Sequence, residues 1–145
     1  MLNAAAIRHI VAVEDSPADV VLLRQALDTH MGKGAYDLRV LPDGARGMRY
    51  VENFSERSTP NADSLVPDLV VMDINLPVYN GLEILRRLRK HGALSAVPVV
   101  VLTTSDSAIE REQAERLGIS CFIRKPAELV EFIAIGAAIK SCLKA

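Results

Sequence analysis

Leu69-Val70-Val71-Met72-Asp73 is the stretch that decides the fold, because four apolar residues end there in an aspartate. A short, continuous apolar run is typical of a strand that is buried on both faces of a parallel sheet. In sheets of that class the carboxyl ends of the strands share one edge, and ligands bind along it. We therefore predict that Asp73 lies at such an edge.

Four further runs of apolar and β-branched residues have similar lengths. They cover residues 8–13, 37–41, 97–102 and 120–124. Asp37 and Arg39 interrupt the second of these runs, so we interpret it as an edge strand, which has one neighbour only. Together with residues 69–73, the runs predict five strands.

Between the runs, apolar residues recur at helical spacing. The pattern predicts helices at about 18–30, 43–54, 81–90, 106–117 and 127–143. Ser107 and Glu110 have the spacing of a capping box in the fourth helix. Regular alternation of strands and helices indicates right-handed βαβ units. The predicted fold class is therefore α/β, a flavodoxin-like doubly wound sheet of five parallel strands in the order 2-1-3-4-5.

The composition is that of one domain without a basic or membrane-spanning segment. The 145 residues are 50% hydrophobic, and 17 Lys plus Arg against 18 Asp plus Glu give a formal net charge of −1. This balance offers no footprint for nucleic acid. No apolar stretch reaches the ~20 residues that span a bilayer, and the N-terminus lacks the features of a signal peptide. Cys121 and Cys142 lack metal-ligand spacing, so we expect reduced thiols in a cytoplasmic protein.

Residues 55–66 are polar, contain one proline and are long for a connection between a helix and a strand. We expect a surface loop there. Since no repeat, heptad pattern or second domain is evident, residues 1–145 are expected to form a single domain.

Side chains that can bind a metal ion and a phosphoryl group follow the predicted strands. Glu14 and Asp15 follow the first strand, Asp73 ends the third, Thr103 ends the fourth and Lys125 follows the fifth. Mg²⁺ prefers hard oxygen ligands, so the three carboxylates predict a magnesium site at the shared edge. Ordinary interpretations remain open, with Asp15 as a helix cap, Thr103 as strand filler and Lys125 as a surface lysine.

Asp73 is predicted to be a nucleophile. A carboxylate can attack phosphorus to form an aspartyl phosphate, and a bound metal ion offsets the charge of the phosphoryl oxygens. Asn75, two residues on, is placed to offer the metal its backbone carbonyl oxygen. Pro126 follows Lys125, and the cis form open to an X–Pro bond would fix the direction of the lysine.

In these motifs the chain resembles the receiver domain of response regulators, the phosphoacceptor module of two-component signalling. The resemblance covers nearly the whole chain and rests on residues 13–19, 72–77, 80–83, 102–104 and 124–126. It implies that Asp73 accepts the phosphoryl group and that Thr103 and Lys125 contact it. It also implies that Mg²⁺ is bound by Glu14, Asp15 and Asp73, the same acids that the strand ends bring together.

The resemblance implies a signalling domain that catalyses its own phosphorylation and slow dephosphorylation. The phosphoryl group would come from a histidine kinase, and the domain would signal to an unidentified protein target through a conformational change. Thr103 would be the switch hydroxyl and Phe122 the switch aromatic, often Tyr in the family. Little chain follows the fifth helix, so no output domain is expected. The chain is similar to single-domain regulators that partner phytochrome-type histidine kinases in three features: residues 17–19, the paired threonines and the long loop before the third strand.

Other classes share parts of the pattern. A flavodoxin-like cofactor binder would need a phosphate loop rich in glycine and hydroxyl groups, where Glu14 and Asp15 stand. A haloacid-dehalogenase-like phosphatase would need a second aspartate at the position of Asn75. A scaffold that keeps the receiver fold without phosphorylation stays open, although the intact acids, Thr103 and Lys125 argue against it.

The last predicted helix is apolar beyond one stripe. The residues expected to face the core are Leu129, Phe132, Ile133, Gly136 and Ile139. Further apolar residues lie outside that stripe: Val130, Ala134, Ile135, Ala137 and Ala138. Two interpretations are open, an ordinary hydrophobic helix and a homodimer face rimmed by Glu128, Glu131 and Lys140.

Overall fold

A parallel sheet forms the centre of the structure, a computed structural model that describes residues 6–55 and 65–143. Its five strands in this part of the chain are β1 Arg8–Val13, β2 Tyr36–Leu41, β3 Leu69–Met72, β4 Val99–Thr103 and β5 Cys121–Arg124. Their order is β2-β1-β3-β4-β5, with every neighbouring pair parallel. The predicted fold class and strand order are confirmed, and β2 is an edge strand.

In the described part of the chain, four helices connect successive strands and a fifth follows the last strand. They are α1 Pro17–Met31, α2 Gly44–Asn53, α3 Gly81–Lys90, α4 Ala108–Arg116 and α5 Leu129–Cys142. No helix among the described residues has both the length and the apolar composition needed to cross a bilayer. Of the predicted surface loop 55–66, residues 56–64 lie outside the described residues.

Two hydrophobic clusters pack against opposite faces of the sheet, which explains the unbroken apolar run of β3. Val70 and Met72 belong to the cluster that includes residues of α2 and α3. Leu69 and Val71 belong to the cluster that includes residues of α1 and α5. Since successive side chains of a strand point to opposite faces, each residue of this run enters one cluster or the other.

Close backbone packing fixes the segment between β3 and α3. The N–H of Gly81, the first residue of α3, donates to the carbonyl of Ile74 at 3.0 Å. A Cβ on Gly81 would lie 2.1 Å from the carbonyl oxygen of Asp73, and one on Gly44 would lie 2.0 Å from that of Tyr79. Both positions therefore require glycine, and α3 begins directly against the backbone of Asp73.

The buried face of α5 differs in part from the predicted stripe. Phe132, Gly136 and Ile139 are buried as predicted, and Ile135 is buried with them. Leu129 is 57% exposed, because the whole first turn, residues 129–131, lies exposed. The face that packs on the core thus follows the spacing 132, 135, 136 and 139 rather than beginning at the first helical residue.

Candidate functional site

Carboxylates from two adjacent strands meet at the carboxyl edge of the sheet. Glu14 and Asp15 directly follow β1, and Asp73 directly follows β3, which pairs with β1. The strand ladder continues into this region, since the N–H of Asp73 donates to the carbonyl of Val13 at 3.1 Å. One carboxylate oxygen from each acid lies within 4.8 Å of the other two. Glu14 and Asp73 are buried, whereas Asp15 is exposed.

Lys125 brings one ammonium group into this acidic cluster. Its Nζ lies 2.5 Å from Glu14 Oε1, 2.7 Å from Asp19 Oδ2 and 2.9 Å from Asp73 Oδ2. Its side chain is only 7% exposed, so it is not a surface lysine. No peptide bond among the described residues is cis. The direction of the lysine is therefore set by the three carboxylates and not by a cis bond before Pro126.

Asp19 is the one contact of Lys125 that sequence reasoning missed. It lies in the first turn of α1, and its N–H donates to the hydroxyl of Ser16, the N-cap residue, at 3.3 Å. Ser16, and not Asp15, therefore caps this helix. An acid in a first helical turn is ordinarily explained by the helix dipole. The signal that was available is that α1 starts directly after the acidic pair, which places its first turn at the same edge.

Glu14 and Lys125 both have shifted pKa values at this site. Burial is the largest cause that raises the pKa of Glu14 to about 7, and its hydrogen bond to Lys125 opposes that shift in part. The nearby charge of Asp73 adds a smaller upward contribution. Burial alone would lower the pKa of Lys125, but its hydrogen bonds to Asp19, Glu14 and Asp73 outweigh burial and raise it. The ammonium form of Lys125 is thus stabilised by its acidic partners.

Thr103 lies beside the cluster, with its hydroxyl directed to a backbone group. The residue is fully buried, and its Oγ1 accepts a hydrogen bond from the N–H of Ser105 at 3.2 Å. Its carbonyl accepts from the N–H of Lys125 at 2.7 Å. The end of β4 is therefore joined by its backbone to the residue that binds the acids.

Asn75 connects the segment after β3 to the segment after β4. Its N–H donates to Asp73 Oδ1 at 3.0 Å, and its side-chain amide donates to the hydroxyl of Thr104 at 3.0 Å. Both oxygens of Asp73 are thus hydrogen-bonded, Oδ1 to Asn75 and Oδ2 to Lys125. These bonds fix the plane of the Asp73 carboxylate.

Phe122 lies within β5, away from the contacts of the acidic cluster. Its ring is half-buried and packs against the core on the side of α2 and α3. The guanidinium carbon of Arg111, in α4, lies 5.5 Å from the ring centroid. The ring therefore connects β5 to α4 through a cation–π contact.

The donor set fits a divalent metal ion. Glu14, Asp15 and Asp73 supply hard carboxylate oxygens from three residues at a separation that one ion can bridge. Three acids contact a single ammonium group, Glu14, Asp19 and Asp73 around Lys125, so the formal charge of this group is −2. A divalent cation beside these acids would balance that charge.

The chain is similar to known signalling proteins over nearly its whole length. The model of the response regulator receiver domain matches residues 10–135. The response regulator Rcp1 of Synechocystis is 31% identical over 132 residues, which cover 91% of this chain and 86% of that protein.

Two solved structures, each 30% identical in sequence to this chain, share its fold. The phosphorylated cyanobacterial phytochrome response regulator RcpA superposes with a TM-score of 0.80 at 30% identity, covering 94% of this chain and 93% of that one. The Mn²⁺-bound form of Rcp1 gives a TM-score of 0.78 at 30% identity, covering 92% of each chain. With its sheet order and its acidic edge, the chain belongs to the response regulator receiver domain family.

Proposed function

We propose that this chain is the phosphoacceptor of a two-component system. Asp73 accepts a phosphoryl group from a histidine kinase in a Mg²⁺-dependent reaction, and the domain signals through the resulting conformational change. The observation that carries the proposal is the convergence on Lys125. One buried ammonium group contacts Asp73 and Glu14. Carboxylate oxygens of these two acids and of Asp15 lie close enough together to bind one metal ion.

The residues of the site have distinct roles in the proposed transfer. A carboxylate oxygen of Asp73 forms a bond to phosphorus while the bond from phosphorus to the kinase histidine breaks, and the electron pair of that bond stays on the histidine nitrogen. Lys125 moves its contact from Asp73 to a phosphoryl oxygen. Thr103 turns its hydroxyl from Ser105 to a second phosphoryl oxygen.

Glu14, Asp15, Asp73 and the carbonyl oxygen of Asn75 would hold Mg²⁺. When bound, the ion neutralises charge that develops on the phosphoryl oxygens. The chain itself supplies the nucleophile and orients it, since both oxygens of Asp73 are fixed by hydrogen bonds. Because these groups belong to one chain, we propose that it also catalyses its own phosphorylation from small donors and its own slow dephosphorylation.

The kinase partner that we propose is of the phytochrome type. RcpA is a cyanobacterial phytochrome response regulator, and the likeness to it covers 94% of the chain described here. Asp19, which follows Pro17 and Ala18 in the motif on which the likeness to such regulators partly rests, contacts Lys125 directly. We further propose that residues 1–145 act as a single receiver domain and that Thr103 and Phe122 take part in the switch.

Intact-protein mass spectrometry after incubation with a small phosphodonor and Mg²⁺ tests the phosphoacceptor. We expect one phosphoryl group that is labile to base in the parent chain, and none in Asp73→Asn. Asp106→Asn is the matched control, because Asp106 is exposed and lies between β4 and α4, beyond the same edge of the sheet. This control should be labelled like the parent. Equal labelling of Asp73→Asn and the parent would refute the assignment.

Phosphotransfer from purified histidine kinases tests the partner. We expect a phytochrome-type kinase of the source organism to phosphorylate this chain faster than the other kinases of that organism do, at equal concentrations. A faster transfer from a kinase of another class would contradict the proposed partner while leaving the assignment of Asp73 intact.

A further inference from the structure

The two cysteines of the chain lie in contact although 21 positions separate them in sequence. Cys121 is the first residue of β5, and Cys142 is the last residue of α5. Their sulfur atoms are 3.8 Å apart, and both thiols are free. Both side chains are half-buried and pack at the margin of the core cluster beside α1 and α5. Neither residue contacts the acidic cluster.

We propose that Cys121 and Cys142 form a reversible intramolecular disulfide, a modification site of this chain. A disulfide bond is about 2.05 Å long, so the sulfur atoms must approach each other by about 1.8 Å. Cys142 can supply this movement because it ends its helix, where terminal residues fray. Disulfides in a reducing compartment are chiefly transient and redox-sensing, which matches a pair that is close but unbonded.

The oxidant that the reaction needs is a small disulfide such as glutathione disulfide. The Cys142 thiolate attacks one sulfur of the oxidant, which forms a mixed disulfide and releases one small thiolate. Cys121 then loses its proton and attacks the Cys142 sulfur, which releases the second small thiolate. The two protein thiols are oxidised, the oxidant is reduced to two thiols, and two protons pass from the protein to the released thiolates.

The surroundings of the two thiols suggest the order of these steps. Burial, followed by the proximity of Cys142, raises the pKa of the Cys121 thiol to about 12. Since the thiolate is the nucleophile, Cys121 reacts poorly with an oxidant from solution. Its attack becomes favourable once its partner sulfur is held in contact, because the second step is intramolecular.

Graded mixtures of reduced and oxidised glutathione test the proposal on the full chain. After quenching in acid and denaturation, intact mass spectrometry should show a monomer that has lost two hydrogen atoms and regains them with dithiothreitol. The bridged form should also unfold at a temperature higher by about 5–10 °C, because the bond constrains the unfolded chain. The Cys121→Ser, Cys142→Ser double variant has no thiol and should show neither change.

The single variants distinguish the two thiols. Cys121→Ser keeps Cys142 and should form a mixed disulfide with glutathione at least tenfold faster than Cys142→Ser, which keeps only the less acidic Cys121 thiol. Two free thiols in the parent chain under glutathione disulfide alone would overturn the proposal. So would a covalent dimer joined through Cys142, or a chain that carries two glutathione adducts and no internal bridge.

Discussion

At the scale of single residues, Lys125 is the centre of the site. An ammonium group has three hydrogen-bond donors, and Lys125 contacts three carboxylates, those of Glu14, Asp19 and Asp73. A buried charge without a partner is strongly unfavourable. In the absence of a metal ion, the ammonium group of Lys125 is therefore the charge that stabilises the buried carboxylates of Glu14 and Asp73. Its contact with Asp73 Oδ2, at 2.9 Å, is the one that the proposed phosphoryl group would replace.

Lys125→Ala should make the stability of the chain more dependent on metal. Without metal, the variant leaves Glu14 and Asp73 buried and without a counter-charge, which should cost about 3 kcal/mol of unfolding free energy. In the parent, Mg²⁺ at a hundredfold excess over its dissociation constant should add about 2.7 kcal/mol. The gain should be larger in the variant, because Mg²⁺ replaces the missing positive charge.

Urea denaturation in EDTA and in Mg²⁺ measures both effects. Lys140→Ala is the control, since Lys140 is exposed in α5 and forms no ion pair with another described residue. It should change neither stability nor its dependence on Mg²⁺. The same gain from Mg²⁺ in Lys125→Ala and in the parent would contradict the role given to the lysine.

The residues at the strand ends could be predicted, whereas for Asp19 the sequence indicated only that its helical turn lies at the same edge and not that it contacts Lys125. Where an apolar run stops, the next side chain lies at the edge of the sheet, so Glu14, Asp73 and Lys125 follow from strand boundaries alone. The contact of Asp19 depends on the rotation of α1 against β5, two elements far apart in sequence. Sequence spacing carries no information on that rotation.

At the scale of elements, the segment between β3 and α3 is held from both sides by backbone. Gly81 packs on the carbonyl of Asp73 and Gly44 on the carbonyl of Tyr79. Val78, which lies between Asp73 and Gly81 in the chain, has a φ of 68°, which a β-branched residue rarely adopts. The segment thus keeps an unfavourable local conformation because its two ends are fixed by close packing.

Gly81→Ala should disrupt this packing and the position of Asp73 with it. The new Cβ would lie 2.1 Å from a backbone oxygen, so either α3 or the segment must shift, at a cost of about 3 kcal/mol. Thermal unfolding and labelling by a small phosphodonor measure the two consequences. We expect a lower midpoint and slower labelling.

Gly92→Ala is the matched control for this substitution. A Cβ on Gly92 meets no atom within 4 Å, and its backbone does not require glycine. Its stability should change by less than about 0.5 kcal/mol, and its labelling should equal that of the parent. A loss of stability in Gly92→Ala as large as that in Gly81→Ala would show that the contact with Asp73 is not the cause.

Helix starts show where local sequence signals compete. The predicted capping box of α4 forms in one half only, with the hydroxyl of Ser107 accepting from the N–H of Glu110 at 3.2 Å. The carboxylate of Glu110 instead contacts the hydroxyl of Ser105, which also accepts from the N–H of Ser107. The spacing predicted the cap, but it could not show that a second serine would take the place of the backbone as partner of Glu110.

At the scale of the whole molecule, the parallel sheet separates two kinds of chemistry. The strand ends that carry the site's acids, the Thr103 hydroxyl and the Lys125 ammonium group lie at its carboxyl edge. The helices run back toward the amino edge, so the end of α5 returns to the start of β5. The contact between Cys142 and Cys121 follows from that return. Sequence separation alone gave no reason to pair them, whereas the βαβ topology did.

Self-association through α5 is the prediction that belongs to this scale. Val130, Ala134 and Ala137 are exposed at helical spacing, and Val130 is 81% exposed. Acidic Glu131 and basic Lys140 border this stripe, so two copies related by a two-fold axis can pair opposite charges. The interface would be small, because alanine buries little area, and we expect a weak dimer that the phosphorylated form favours.

Sedimentation equilibrium of the reduced protein, with and without a phosphoryl mimic, measures this association. Val130→Glu should raise the dimer dissociation constant at least tenfold, about 1.4 kcal/mol, because the carboxylate would have to lose its water in the interface. Val78→Glu is the matched control, since Val78 is also 81% exposed but lies in the segment after β3. Keeping the thiols reduced prevents a covalent link through Cys142 from imitating a dimer. If the parent stays a monomer in both states at high micromolar concentration, α5 has only its role in the core, and the exposed stripe reflects the frequency of alanine in this helix.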